Sequence, residues 1–249
     1  MKPHRTVIVC TTPRSGSTLL CALLASSGTG GRPESWYRAE DRAEYEADWG
    51  VPSGDASAFL AAAIKAGSDD SGTFGIRLQA PSLSPVLAEL RGIFGALPDR
   101  ELLQEALGPC TFIHIRREDD VAQAVSRLKA EVSQVWHMDG TETAPQGEAV
   151  YDAERLDQFR AEAAEGNTAW EAWFAANGIA PSRVVYEQFV ADPPSQVRTL
   201  LVQAGLPPHP DRLISAPNRK MADAASAAWA LRYRQDRGLE PMTEGANAL

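Results

Sequence analysis

The sequence predicts an α/β fold, a P-loop-like three-layer sandwich whose central, mainly parallel sheet is flanked by helices. Three observations predict it. Residues 6–10 are a short β-branched run, broken by Pro13, Ser15, Gly16 and Ser17 and followed at once by the helix-forming "STLLCALLAS"; this reads as strand, tight loop, helix. "CTFIHI" (110–115) repeats that order. It passes through "RREDD" into a stretch with apolar residues at Val121, Ala124, Val125, Leu128, Val132 and Val135, the spacing of a helix with one buried face. Strands then alternate with helices along the chain, with no internal repeat or low-complexity linker, as βαβ units require. At 249 residues one core is enough, so 1–249 is expected to be a single domain.

The remaining elements follow in order. Ser17 or Thr18 is the expected N-cap of the first helix, and the glycines of "GTGGRP" end it. Residues from about 40 to 72 read as a mostly helical, polar insertion. "GTFGIRLQAP" is a second strand, and 83–107 is helical with a break at "GALPD". Residues 154–174 form an Ala- and Glu-rich helix, "RVVYEQF" a strand, and "DPPSQVRTLLVQAGL" a helix opened by prolines and closed by glycine. A polar tail, about 213–249, carries "NRK" and then "WALRYRQDRG".

Composition narrows the function classes. The chain is 44% hydrophobic and 23% charged, with a net charge of −9. That balance argues against a nucleic-acid binder, which needs basic surface to meet phosphates. It leaves room for a small anionic ligand, because a local basic pocket can sit on an acidic body. The three cysteines, Cys10, Cys21 and Cys110, lie in apolar runs and read as buried, reduced thiols. No apolar run approaches the about 20 residues that span a bilayer, and the N-terminus lacks a signal-peptide pattern, so a cytoplasmic location is expected. His4, His114, His137 and His209 show no metal-ligand spacing, and no metal is expected.

The loop after the first strand is the most informative stretch. A Walker A loop needs Gly, four spacers, Gly, Lys and Ser or Thr. Aligning Gly16 and Thr18 with its end puts Thr11 at the first Gly and Ser17 at the Lys. A γ-phosphate and its Mg²⁺ would lose their main side-chain charge partner. What remains is a strand-to-helix turn whose N–H groups face an anion, with Arg14 as a planar fork and Ser15, Ser17 and Thr18 as hydroxyls. This set suits phosphate or sulfate held without metal.

"PRSGSTLL" (Pro13, Arg14, Ser15, Gly16, Ser17, Thr18) resembles the 5′-phosphosulfate loop of sulfotransferases that use 3′-phosphoadenylyl sulfate (PAPS). Followed by "TGGRPESWYR", it is similar to the Stf0-type bacterial branch, whose founding members sulfate trehalose. "IHIRREDDVAQAVS" carries the second similarity. It implies that Arg117 and Ser126 hold the cofactor 3′-phosphate, and Ser126 does lie off the apolar stripe of its helix. "FGIRLQ" resembles the family's Gly-x-Lys/Arg strand and makes Arg77 a pocket residue. "NRKMAD…WALRYRQD" resembles the cofactor-covering tail and implies roles for Arg219, Lys220 and Trp229.

The resemblance implies in-line transfer of a sulfuryl group from PAPS to an acceptor hydroxyl, leaving adenosine 3′,5′-bisphosphate, with Arg14 and the loop N–H groups meeting charge on the bridging oxygen. It places the base in the Gly-x-Pro-x-Glu region. Here the sequence reads "GRPESWY", so the carboxylate is Glu34, with Ser35 where the trehalose-acting pattern has its Glu. His137, in "VWH", is the reserve base. Trp36, Tyr37 and Trp136 are candidate stacking faces for a sugar acceptor, with Glu34, Ser35 and Arg77 as polar contacts. Similar proteins are commonly homodimers. Two other readings stay open: a P-loop small-molecule kinase, and a non-catalytic protein that keeps the bisphosphate pocket.

Overall fold

The computed structural model describes residues 2–133, 147, 149–216 and 224–240. Its elements are β1 (Arg5–Thr11), α1 (Ser17–Ser26), a 3₁₀ turn (Ala39–Asp41), α2 (Arg42–Trp49), α3 (Ala56–Gly67), β2 (Thr73–Gln79), α4 (Ala80–Phe94) and α5 (Asp99–Leu107). There follow β3 (Cys110–Arg116), α6 (Asp120–Ser133), α7 (Ala153–Ala176), β4 (Ser182–Val185), α8 (Tyr186–Phe189), α9 (Pro193–Gln203) and α10 (Ala224–Arg237). The sheet has four strands in the order β2-β1-β3-β4, and every pairing is parallel.

A parallel sheet buries both faces, so its strands carry apolar residues on both. Along β1, Ile8 and Cys10 join one core with Ile76, Phe112, α3, α4, α5 and the Trp170–Phe174 end of α7. Val7 and Val9 point the other way, into a core with Ile113, Ile115, Val184, α1 and α9. These are the two outer layers of the sandwich. A third cluster joins Val121, Val125 and Leu128 of α6 to Leu156 and Phe159 of α7 and Tyr233 of α10. Residues 42–49 and 56–67 are helical, each closed or opened by its own signal: Gly50 at φ +64° ends α2, and the Asp55 carboxylate accepts from Ala58 N–H to cap α3.

The strand expected over "RVVYEQF" is shorter than its sequence suggests. β4 ends at Val185, opposite Arg116, the last residue of β3. Beyond it the ladder has no partner, and Tyr186 turns into the one-turn helix α8.

The strand order creates a switch point. The chain leaves β1 for β2 on one side, crosses back past β1 to β3, and leaves β3 for β4 on the other side, so the loops at the C-terminal ends of β1 and β3 part and leave a crevice between them.

His114, in the middle of β3, is buried. Its ring nitrogens lie 3.2 Å from Glu171 Oε1 and 3.3 Å from Asn167 Oδ1. Burial holds its pKa below the ordinary 6.5, outweighing the opposing pull of Glu171. The unfolded chain therefore binds more protons at this ring than the folded one, and stability falls as pH drops through 6.5. Urea midpoints of the wild type are expected to decline from about pH 7 to pH 5 more steeply than those of His114→Gln.

Candidate active site

The loop leaving β1 is curled by two left-handed residues, Arg14 at φ +63° and Gly16 at φ +92°. A non-glycine residue in that region is strained unless its surroundings hold it. Several contacts do so. The Thr11 carbonyl accepts from Trp170 Nε1 at 3.0 Å, and Thr11 and Ser15 share a hydroxyl–hydroxyl bond. Gln123, from α6, donates through Nε2 to the Pro13 carbonyl at 2.7 Å and to Thr12 Oγ1 at 3.1 Å. At Gly16 a Cβ would sit 2.3 Å from the Tyr186 ring, so only glycine fits. The Gly16 cap supplies no side-chain hydrogen bond to the first turn of α1. Those N–H groups form a concavity that attracts an anion.

Cationic side chains converge on this turn. Arg14 Nε donates to Ser126 Oγ at 3.0 Å, joining the loop to α6. Arg117 lies with its guanidinium carbon 4.6 Å from the centre of the Tyr186 ring and its Nε 3.6 Å from Glu187. That Nε is buried and has no hydrogen-bond partner among the described residues. Glu187 also accepts from the N–H groups of Glu118 (3.0 Å) and Asp119 (3.2 Å), which fixes the turn after β3. Burial, then the neighbouring Arg117 and, less, Arg77, pull the Arg14 pKa down to about 10. Such a cluster is self-repulsive, and an anion at its centre relieves it.

On the other side, residues 31–36 lie directly on β2. Glu34 forms a parallel bridge with Ile76, and its carbonyl accepts from Arg77 N–H at 2.9 Å. The crossing is tight. A Cβ on Gly75 would stand 2.5 Å from Pro33 N, and one on Gly31 2.3 Å from Gly75 N. Buried Arg77 then donates three ways: Nε to Ser35 Oγ at 2.9 Å, Nη1 to Thr18 Oγ1 at 3.0 Å, and Nη2 to Glu34 Oε2 at 3.3 Å. The Glu34 side chain remains half exposed at 52%. One crevice thus holds a cationic anion cradle and, tied to it through Arg77, an accessible carboxylate.

The profile of the family described as Stf0 sulphotransferase matches residues 6–236, nearly the whole chain. The chain belongs to the Stf0 sulphotransferase family. Among curated proteins it is similar to a trehalose 2-sulfotransferase of Mycobacterium tuberculosis, 27% identical over 93% of this chain and 95% of that protein. It is also similar to a trehalose 2-sulfotransferase of Mycolicibacterium smegmatis, 26% identical over 95% of this chain and 97% of the other. Among solved structures, the sulfotransferase domain of the Synechococcus PCC 7002 olefin synthase covers 96% of both chains at 13% identity and a TM-score of 0.44. The molecule is a sulfotransferase, and the kinase reading falls with that membership.

Of the residues singled out in the sequence, the fold gathers Pro13 to Thr18, Glu34, Ser35, Arg77, Arg117 and Ser126 around one crevice. Others it places elsewhere. Trp36 is a core residue, not a stacking face: it donates through Nε1 to the Gly75 carbonyl at 2.9 Å and packs against Tyr45 and Trp49. Tyr37 lies edge-on to Phe59, its hydroxyl buried. Trp229 packs against Tyr151 in the α6–α7–α10 cluster. Trp136, His137, Arg219 and Lys220 lie outside the described residues.

The sequence reading missed a supporting set: Gln123 under the loop, Tyr186 and Glu187 around Arg117, and Asp119, which accepts from Ala122 N–H (2.8 Å) and Arg234 Nη2 (2.6 Å). One signal was available. "YEQF" stands at the C-terminal end of a strand, the sheet edge where ligands bind. Among the described residues, no group of His, Cys, Asp and Glu is arranged to hold a metal, and no helix is long and apolar enough to cross a membrane.

Gly75→Ala is expected to push residues 31–36 off β2 and to lower stability by about 1–3 kcal/mol. Urea unfolding checks this as a fall in midpoint at unchanged slope.

Proposed function

We propose that this sulfotransferase moves a sulfuryl group from PAPS to a carbohydrate hydroxyl, with Glu34 as base. The observation that carries the reading is the pairing of two anion-holding groups across the crevice. The uncapped turn of α1 with Arg14 suits one phosphate-like end of a donor, and Arg117 with Ser126 suits another. Arg14 and Ser126 touch at 3.0 Å, so one doubly anionic nucleotide can span both. The buried Nε of Arg117, which has no hydrogen-bond partner among the described residues, fits a group that takes an acceptor from the ligand.

The donor, when bound, supplies a sulfuryl group activated as a mixed anhydride with phosphate. Arg14 and the N–H groups of Ser17 and Thr18 are disposed to meet charge growing on the anhydride's bridging oxygen. Glu34, half exposed beside the cradle, takes the proton of the acceptor hydroxyl as the new O–S bond forms. The S–O bond to phosphate breaks, and adenosine 3′,5′-bisphosphate leaves. The names of the curated relatives support a sugar acceptor such as trehalose. A cytoplasmic, homodimeric enzyme belongs to the same reading, and sedimentation tests its oligomeric part.

Thermal unfolding with adenosine 3′,5′-bisphosphate, 5′-AMP and ATP–Mg²⁺ tests the donor. At about 100 times its dissociation constant, the bisphosphate is expected to add about 2.7 kcal/mol, a rise of several degrees. Arg117→Ala should abolish that rise. Stabilisation by ATP–Mg²⁺ alone would overturn the donor assignment.

Turnover of PAPS against trehalose and a panel of mono- and disaccharides, followed by mass spectrometry of the product, tests the acceptor. Glu34→Gln is expected to lower kcat by about 10²–10⁴-fold while the bisphosphate-induced shift is unchanged. An undiminished kcat in that variant removes Glu34 as base.

A further inference from the structure

We propose that Arg77 is a positioning residue and not an acceptor-binding one: it pins the Glu34 carboxylate to the first turn of α1, so that base and anion cradle move as one piece. The inference rests on the reading of Glu34 as the base. Its own grounds are geometric.

Each of the three Arg77 nitrogens already has a protein oxygen within 3.3 Å: Ser35 Oγ on Nε, Thr18 Oγ1 on Nη1 and Glu34 Oε2 on Nη2. The side chain is only 9% exposed, against 52% for Glu34. Three of its five N–H donors, one on each nitrogen, are thus taken by protein oxygens, and a side chain so shut away from solvent has little to offer a sugar. A guanidinium is planar and rigid, so three bonds of this kind fix the relative places of what it touches, which a flexible ammonium cannot do.

What it touches is the point. Thr18 belongs to α1, whose first turn is the anion cradle. Glu34 and Ser35 belong to the segment laid across β2, whose backbone is already fixed by the Glu34–Ile76 bridge and the Arg77 N–H to Glu34 carbonyl bond. Backbone pairing sets where the Glu34 Cα stands. It leaves the carboxylate free to rotate, and the Arg77 fork removes that freedom through one oxygen, Oε2. The other oxygen is left for the acceptor hydroxyl.

The arrangement also gives the Pro-Glu-Ser order of this chain a physical meaning. Ser35 saturates Nε, so a terminal nitrogen remains for the carboxylate of its neighbour.

A double-mutant cycle tests this, measured with PAPS and the best acceptor of the sugar panel. Arg77→Met is expected to lower kcat by about 10- to 100-fold, with acceptor KM within about twofold of wild type. In a Glu34→Gln background the same change should cost less than about twofold more, because a residue acting through Glu34 has nothing left to position. Arg77→Lys keeps the charge but not the fork, and should recover only part of kcat.

An acceptor-independent readout is the ¹³C carboxyl resonance of Glu34 in [5-¹³C]Glu-labelled protein, assigned by its loss in Glu34→Gln. It should move in Arg77→Met. An unmoved resonance, a rise confined to acceptor KM, or equal losses in both backgrounds overturns the proposal. A Glu34→Gln enzyme with full kcat instead overturns the base assignment, a separate result.

Discussion

Strand β1 is enclosed on every side. It hydrogen-bonds to β2 along one edge and β3 along the other, and Val7, Ile8, Val9 and Cys10 are at most 1% exposed. A strand so held cannot shift register without moving two cores at once, because a one-residue slip exchanges its faces. The loop that leaves it inherits that rigidity. Arg14 keeps its left-handed backbone because Thr11 is anchored from α7, Pro13 from α6, and Gly16 abuts Tyr186. Strain at the cradle is thus supported by elements from three different parts of the chain.

Electrostatics at the site runs against the molecule as a whole. The chain carries −9, yet Arg14, Arg77 and Arg117 are near enough for their charges to be felt at Arg14. Glu34 and Glu187 answer two of these cations. A focused positive pocket on an acidic body favours a small polyanion while giving a nucleic-acid backbone little to follow. The acidic residues here also act as struts. Glu187 binds the backbone of the turn after β3, and Asp119 ties the start of α6 to Arg234 of α10.

Much of the fold was legible because buried parallel strands and their loops are local signals. The β-branched run at 6–10, the Pro-Arg-Ser-Gly break and the apolar stripe of α6 each need only neighbouring residues to be read. The stacking role expected of Trp36 failed for a corresponding reason. Trp36 is two residues from Glu34 in sequence, but its burial depends on Tyr45 and Trp49 of α2 and on a carbonyl at Gly75. No local pattern reports such a contact. The end of β4 was misplaced likewise, since the ladder stops where β3 stops.

The sequence by itself determined the α/β class, the strand–turn–helix order after the first strand, and the family to which the chain is similar. These are properties of contiguous residues: period, turn chemistry and helix start. Tertiary structure alone decided that Arg77 spends its donors on Thr18, Ser35 and Glu34, that Arg14 meets Ser126, and that Tyr186 seats Arg117. Those pairs are separated by as many as 112 residues and come together because parallel pairing puts the C-terminal ends of all four strands at one end of the sheet and the order 2-1-3-4 makes them neighbours there.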